Sequence, residues 1–182
     1  MVTSFGYFGS EIQTMKRVVF AASILLLLSC KKEAKEPAEP ENDHIEVVNF
    51  QELEKLLQEQ KEEVLLVNFW ATWCKPCVEE LPFFEEVHDS LGGQGLKVIL
   101  VSLDFPNKLE SQVIPFVRDK GLEPQVILLD DPHENDWIPK VDSTWSGAIP
   151  ATLFLKEGKR KFFEKSFTRT SLFSDVSQFI NP

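Results

Sequence analysis

Cys74 and Cys77 stand in Trp73-Cys74-Lys75-Pro76-Cys77, directly after the apolar run Val64 to Trp70. Two thiols at this spacing can exchange electrons as a dithiol and disulfide, contribute to a zinc site, or close a small structural loop. Structural zinc needs four ligands, typically a second pair, and His44, His88 and His133 do not stand at paired spacing. No metal is expected. A structural bridge across so short a loop constrains little unfolded-chain entropy. Redox exchange has a physical basis. If a helix begins near Cys74, its unpaired N–H groups and positive dipole end lie against that sulfur. A free thiol has a pKa of about 8.5, and bringing it to about 7 takes about 2 kcal/mol. Helix-end electrostatics can supply much of that, and Lys75 adds a neighbouring cation. Cys77, one turn further in, should be more buried and less ionised. One sulfur then attacks and the other resolves.

The third cysteine has a different setting. Cys30 closes Leu25-Leu26-Leu27-Leu28-Ser29-Cys30, after the basic start Met15-Lys16-Arg17. The apolar stretch Val18 to Leu28 falls short of the roughly 20 residues that span a bilayer, but it suits the core of a secretory signal. The order resembles a bacterial lipoprotein signal with the lipobox Leu27-Leu28-Ser29-Cys30. Residues 1–29 are therefore expected to be removed, with Met15 a candidate start, and Cys30 to be lipidated. The alternative is an uncleaved short anchor with an incidental cysteine. Export would place the dithiol where disulfides persist.

Residues 31–43 contain two prolines and no large apolar side chain. Such a segment cannot bury enough surface to offset its ordering entropy. With Cys30 it is expected to form a tether (30–43) of roughly 20 Å reach. Residues 44–182 are then one domain by the usual size prior, with 15 Phe in the chain to build a core. The formal charge of -10 argues against nucleic-acid partners, because phosphate neutralisation needs clustered Lys and Arg.

The elements that must hold the dithiol follow from periodicity. Ile45–Val48 is a short strand, and Asn49 with Glu52 reads as a capping box for a helix with Phe50, Leu53, Leu56 and Leu57 on one face. Val64–Trp70 reads as a strand buried on both sides. A helix is expected from about Lys75 to Leu91, with Val78, Leu81, Phe84 and Leu91 inward and a kink at Pro82. Val98–Leu103 and Val126–Leu129 are further strands, with a helix over 108–120 between them. Asp130–Gly147, containing Trp137 and Trp145, reads as irregular with a helical turn. Thr152–Leu155 and Lys161–Phe167 flank Glu157-Gly158 as a hairpin, and Ser171–Ile180 closes the chain as a helix. Parallel crossovers with a final antiparallel hairpin make an α/β sandwich.

Phe69-Trp70-Ala71-Thr72-Trp73-Cys74-Lys75-Pro76-Cys77, with Pro82 beyond, resembles a thioredoxin-fold active site, and Gly147-Ala148-Ile149-Pro150-Ala151-Thr152 resembles that family's cis-proline loop. The length of 96–147 is similar to the central insert of extracytoplasmic TlpA/ResA-type thiol–disulfide oxidoreductases. The resemblance implies a thioredoxin fold: a central mixed sheet flanked by helices, with that insert. It also implies Cys74 as nucleophile, Cys77 as resolving thiol and Pro150 as the cis residue facing them. The backbone of Ile149 would then be available to an extended partner. Trp73 would cover the dithiol beside a docking surface, with Lys75 and Pro76 between the two sulfurs. Asn68 departs from the pattern, because thioredoxins carry a buried acid there. Asp104 is the replacement candidate, against a solvated strand-end carboxylate or turn cap; Glu79 and Glu80 read as surface.

The resulting expectation is a lipid-anchored oxidoreductase outside the cytoplasm, without a cofactor, that reduces disulfides in client proteins. A membrane dithiol donor would regenerate it, and cytochrome c maturation is the use that the resemblance implies. A thiol peroxidase of peroxiredoxin type and a non-enzymatic anchored chaperone are the alternatives.

Overall fold

The apolar run before the two cysteines becomes the middle of the sheet. Strand β2 (Val64–Trp70) is buried at every position and lies between β3 (Leu96–Ser102) and β5 (Ala151–Lys156). The computed structural model describes residues 44–60 and 64–181. The expected signal segment 1–29, Cys30 and the expected tether lie outside the described residues. Among the described residues no helix is long and apolar enough to cross a membrane.

Six strands pair in the order β1-β4-β3-β2-β5-β6, with β1 (Glu46–Val48) and β6 (Lys159–Phe163) at the edges and β4 (Gln125–Leu129) inside. The pairs β1·β4, β4·β3 and β3·β2 are parallel, whereas β5 runs antiparallel to both β2 and β6. This is the expected mixed sheet. Alternation along β2 divides the core in two. Leu66 and Trp70 pack with Cys77, Leu81, Phe84 and Val87 of α2 (Lys75–Leu91) and with Leu172 and Val176 of α5 (Arg169–Ile180). Leu65, Val67 and Phe69 face Phe50 and Leu53 of α1 (Phe50–Glu59) and Trp137 of α4 (Glu134–Val141). The Asn49–Glu52 capping box forms at the start of α1.

Helix α2 spans the expected residues. It runs on through Pro82, which lacks the N–H that would reach the Val78 carbonyl. At its end a 3-10 turn over Gly92–Gln94 leads to Gly95 at φ 83, a left-handed backbone that glycine adopts without Cβ strain.

Three expectations need correction. The helix predicted over 108–120 is α-helical only over α3 (Ile114–Lys120), after a 3-10 turn (Pro106–Lys108) and a π turn (Leu109–Val113). Pro115 has no N–H to extend an α ladder backwards, and the Ile114 N–H donates instead to the Leu109 carbonyl. The stretch read as irregular contains the two-turn helix α4. Trp137 and Trp145 are both buried, with ring centroids 5.7 Å from Phe50 and 4.8 Å from Phe69 respectively. Strand β6 ends at Phe163, four residues early. Glu164 turns away to bond a neighbouring loop, and Thr168 caps α5 with Ser171.

Candidate active site

The end of β2 and the start of α2 are joined by Ala71 to Cys74, and this short joint builds the site. Cys74 occupies the N-cap of α2. Its N–H donates to the Ala71 carbonyl (3.1 Å), and its carbonyl accepts from the Val78 N–H (3.0 Å). Its sulfur therefore sits where the helix presents unpaired N–H groups and its positive end. Cys74 and Cys77 are joined as a disulfide, with S–S 2.00 Å and Cα–Cα 5.3 Å. Cys74 retains 6% of its surface and Cys77 none, so of the two residues only the first keeps any surface for an attacker to reach.

The other side of the site is the 142–150 connection. Ile149–Pro150 is a cis peptide bond, and the Ile149 carbonyl oxygen lies 3.8 Å from Cys74 Sγ. In the dithiol state a Cys74 S–H could donate there. Trp73 is 60% exposed and Phe105 70% exposed, leaving two large apolar side chains uncovered on residues next to the bonded pair Thr72 and Asp104. Lys75 and Pro76 are exposed on the first turn, where Lys75 Nζ lies 3.7 Å from Glu79.

Asp104 is buried rather than solvated. Its Oδ2 accepts from the Thr72 N–H (2.9 Å) and the Ser102 hydroxyl (2.8 Å), and its Oδ1 accepts from the Thr72 hydroxyl (2.6 Å). Gln112 donates to the same Thr72 hydroxyl at 2.7 Å. Both carboxylate oxygens are thus engaged in tying the cysteine loop to the end of β3. Replacing Asp104 by alanine is expected to cost about 3 kcal/mol, since two hydroxyls and one N–H lose their acceptor. Denaturant unfolding measures this. Asp104→Asn, which cannot titrate, should keep most of the disulfide-exchange activity if positioning is the whole role.

Glu80 was expected on the surface and is instead 1% exposed. Its Oε1 accepts from Asn68 Nδ2 (2.9 Å) and its Oε2 from the Phe167 N–H (2.7 Å). Asn68 Nδ2 also donates to Thr152 Oγ1 (3.0 Å). Burial pushes the Glu80 carboxyl up to about 7, and its two donors pull only part of the way back. Residues three apart on a helix are neighbours, about 5–6 Å between Cβ atoms, so Glu80 lies beside Cys77. Thus the strand position holds Asn68, and a buried acid reaches it from the facing helix. The spacing contained this signal: position 80 is three after Cys77 and four before Phe84, on the face that goes inward.

Comparison with known proteins bears on the same residues. The chain is 29% identical over 92 residues to the thiol-disulfide oxidoreductase ResA of Oceanobacillus iheyensis, covering 50% of this chain and 43% of that one. With ResA of Bacillus cereus it shares 30% over 105 residues, 57% of this chain and 55% of the other. The chain spans about half the length of these curated relatives. The fold is similar to the crystal structure of a DsbF homologue from Corynebacterium diphtheriae (TM-score 0.56, 23% identity, 67% of this chain and 75% of that one). The pattern of the AhpC/TSA family matches residues 39–159. That stretch takes in β2, the two cysteines at the head of α2, the Asp104 turn and the loop that lays Ile149 against Cys74, and it is two thirds of the sequence; the chain belongs to the AhpC/TSA family, on a thioredoxin-like fold.

Proposed function

We propose that the protein is a thiol–disulfide oxidoreductase that reduces disulfides in partner proteins. The observation that carries this reading is the Cys74–Cys77 bond at the head of α2, with its less buried sulfur against the cis-proline loop. In the reduced protein the Cys74 thiolate attacks one sulfur of a partner disulfide. That S–S bond breaks, a mixed disulfide forms, and the partner's other sulfur leaves as a thiolate that takes up a proton. Cys77 then loses its proton and attacks Cys74 Sγ. The mixed disulfide breaks, the second partner sulfur leaves as a thiol, and the Cys74–Cys77 bond closes. Two electrons have passed to the partner.

Glu80 is the group placed to take the Cys77 proton. A carboxyl with a pKa near neutrality is better matched to a thiol than an ordinary carboxylate. Asp104 holds the loop rather than the proton.

The same reading extends to location and use. The basic, apolar and lipobox order of residues 15–30 supports export and lipid anchoring through Cys30. A membrane dithiol donor would then return the protein to its reduced form. Delivery of thiols to apocytochrome c is the client chemistry that the ResA likeness favours.

The test is to measure the reduction potential of the Cys74/Cys77 couple and to follow reduction of a disulfide-bonded peptide beside turnover of hydrogen peroxide. A potential well below that of strong oxidants, about -120 mV, together with peptide reduction outpacing peroxide turnover, is the expected result. An oxidising potential would reverse the direction. Peroxide turnover far above dithiol exchange would favour the peroxidase instead.

A further inference from the structure

The loop opposite Cys74 has no helix or strand of its own between Val141 and Ala151, yet its Ile149 carbonyl is held 3.8 Å from the reactive sulfur. Three contacts bear on its stretch just before Ile149. The Trp145 indole N–H donates to the Ala148 carbonyl (2.8 Å). Gly147 has φ +92 and lies so close to Ile138 that a Cβ would come within 3.2 Å of its Cδ1. The third contact comes from beyond β6. The Glu164 carboxylate accepts from the Ser146 N–H (3.1 Å), from the Ala148 N–H (3.2 Å) and from the Ser146 hydroxyl.

The hairpin register explains the reach. Thr152 pairs with Phe163, so Glu164 stands at the open end of β5–β6, where the loop enters β5. Its two oxygens gather N–H groups from both sides of Gly147. These bonds hold the Glu164 carboxyl below the usual carboxylate range, and it is ionised at neutral pH. Glu164 makes no recorded contact with either sulfur. Its only described hydrogen bonds run to the loop.

We propose that Glu164 is a positioning residue for partner binding: it sets the height of the Ile149–Pro150 loop over Cys74, and thereby how tightly an extended, disulfide-bearing polypeptide segment docks. This rests on the oxidoreductase reading above. A segment that lies along the loop must find the loop already placed. A loop that wanders in the free protein has to be ordered during binding, and that entropy is taken from affinity. A small aromatic disulfide needs only Cys74 and does not feel the difference.

The test uses the full chain and its Glu164→Ala and Glu164→Gln variants, with a disulfide-bonded peptide and 5,5′-dithiobis(2-nitrobenzoate) as substrates. Glu164→Ala is expected to raise KM for the peptide about tenfold, which is about 1.4 kcal/mol, with kcat within about twofold. The rate with the small disulfide and the reduction potential should not move. Glu164→Gln, which keeps one accepting oxygen, should recover part of the affinity. An unchanged peptide KM in Glu164→Ala beside an active wild type overturns this proposal alone. A parallel fall with both substrates and a lower melting temperature also overturns it, because that is what a purely structural bond would do. A wild type that reduces neither substrate removes the oxidoreductase reading and this proposal together.

Discussion

Cys77→Ala should turn the protein from a catalyst into a trap, whereas Cys74→Ala should leave nothing to trap. With Cys77 absent, the Cys74 thiolate can still open a partner disulfide, but no second sulfur in the site closes the cycle. A covalent adduct that a reductant dissolves is expected to accumulate on a non-reducing gel, and turnover should stop after one event. With Cys74 absent, the thiol left in the site is Cys77, which has no exposed surface. Peptide-disulfide reduction should fall by on the order of a thousandfold or more, as when a nucleophile that works within a unit is lost. The asymmetry is the informative part. It follows from position alone: Cys74 caps the helix, while Cys77 lies within its first turn. Comparable residual activity in the two variants would mean that either sulfur can attack, and the assigned order of steps would be wrong. Neither substitution should unfold the domain, because the loop is also held by Asp104 and by the Leu103 N–H to the Trp70 carbonyl (2.8 Å).

What could be read from the residues, and what could not, divides along the range of the interactions. Strand β2 and helix α2 were legible to the residue. A seven-residue apolar run bounded by the cysteine turn and an inward-facing helical stripe are both local signals. The turn before α3 was not legible. A proline in the middle of a helical pattern allows a break, a kink or a change of helix type, and only the neighbouring turns select among them. Trp137 and Trp145 read as parts of an acidic loop, yet they pack against Phe50, Phe69 and Phe162 on one face of the sheet. These phenylalanines stand 17 to 87 positions away in the sequence, beyond a local window. Glu80 is a different kind of miss. Its spacing puts it on the inward stripe, but a glutamate is seldom fully buried without a partner, so residue type and spacing point in opposite directions. The absence of an acid at Asn68 points across the strand–helix interface, where Glu80 supplies one. Glu164 had no local signal, since it acts through residues 16 and 18 positions earlier.

Glu80→Gln should make the protein more stable at pH 8 and slower to release its partner. The Glu80 carboxyl has a pKa of about 7 in the folded chain against 4.5 as a free side chain. Between these values the native state binds more protons than the unfolded one, so stability falls as pH rises through that window. The loss is complete above about pH 7 and amounts to about 3 kcal/mol, the cost of ionising a carboxyl that burial would keep neutral. Gln cannot ionise and avoids it. Its carbonyl can accept the Phe167 N–H, and its amide can donate to Asn68 Oδ1 after a flip of the Asn68 amide, an oxygen with no described partner now. Denaturant unfolding at pH 5 and pH 8 should therefore show the variant gaining on the wild type only at the higher pH. Glu85, half-buried and also pushed up to about 7, adds a slope of the same sign to both proteins and cancels in the difference. Stability gained at this position should appear as chemistry lost. Without a group to take the Cys77 proton, escape from the mixed disulfide should slow by about a hundredfold, the low end of general base catalysis, and its rise with pH should track the thiol rather than a group near 7. If the variant and the wild type lose stability in parallel from pH 5 to 8, Glu80 is already ionised at the lower pH, and the proton of Cys77 leaves by another route.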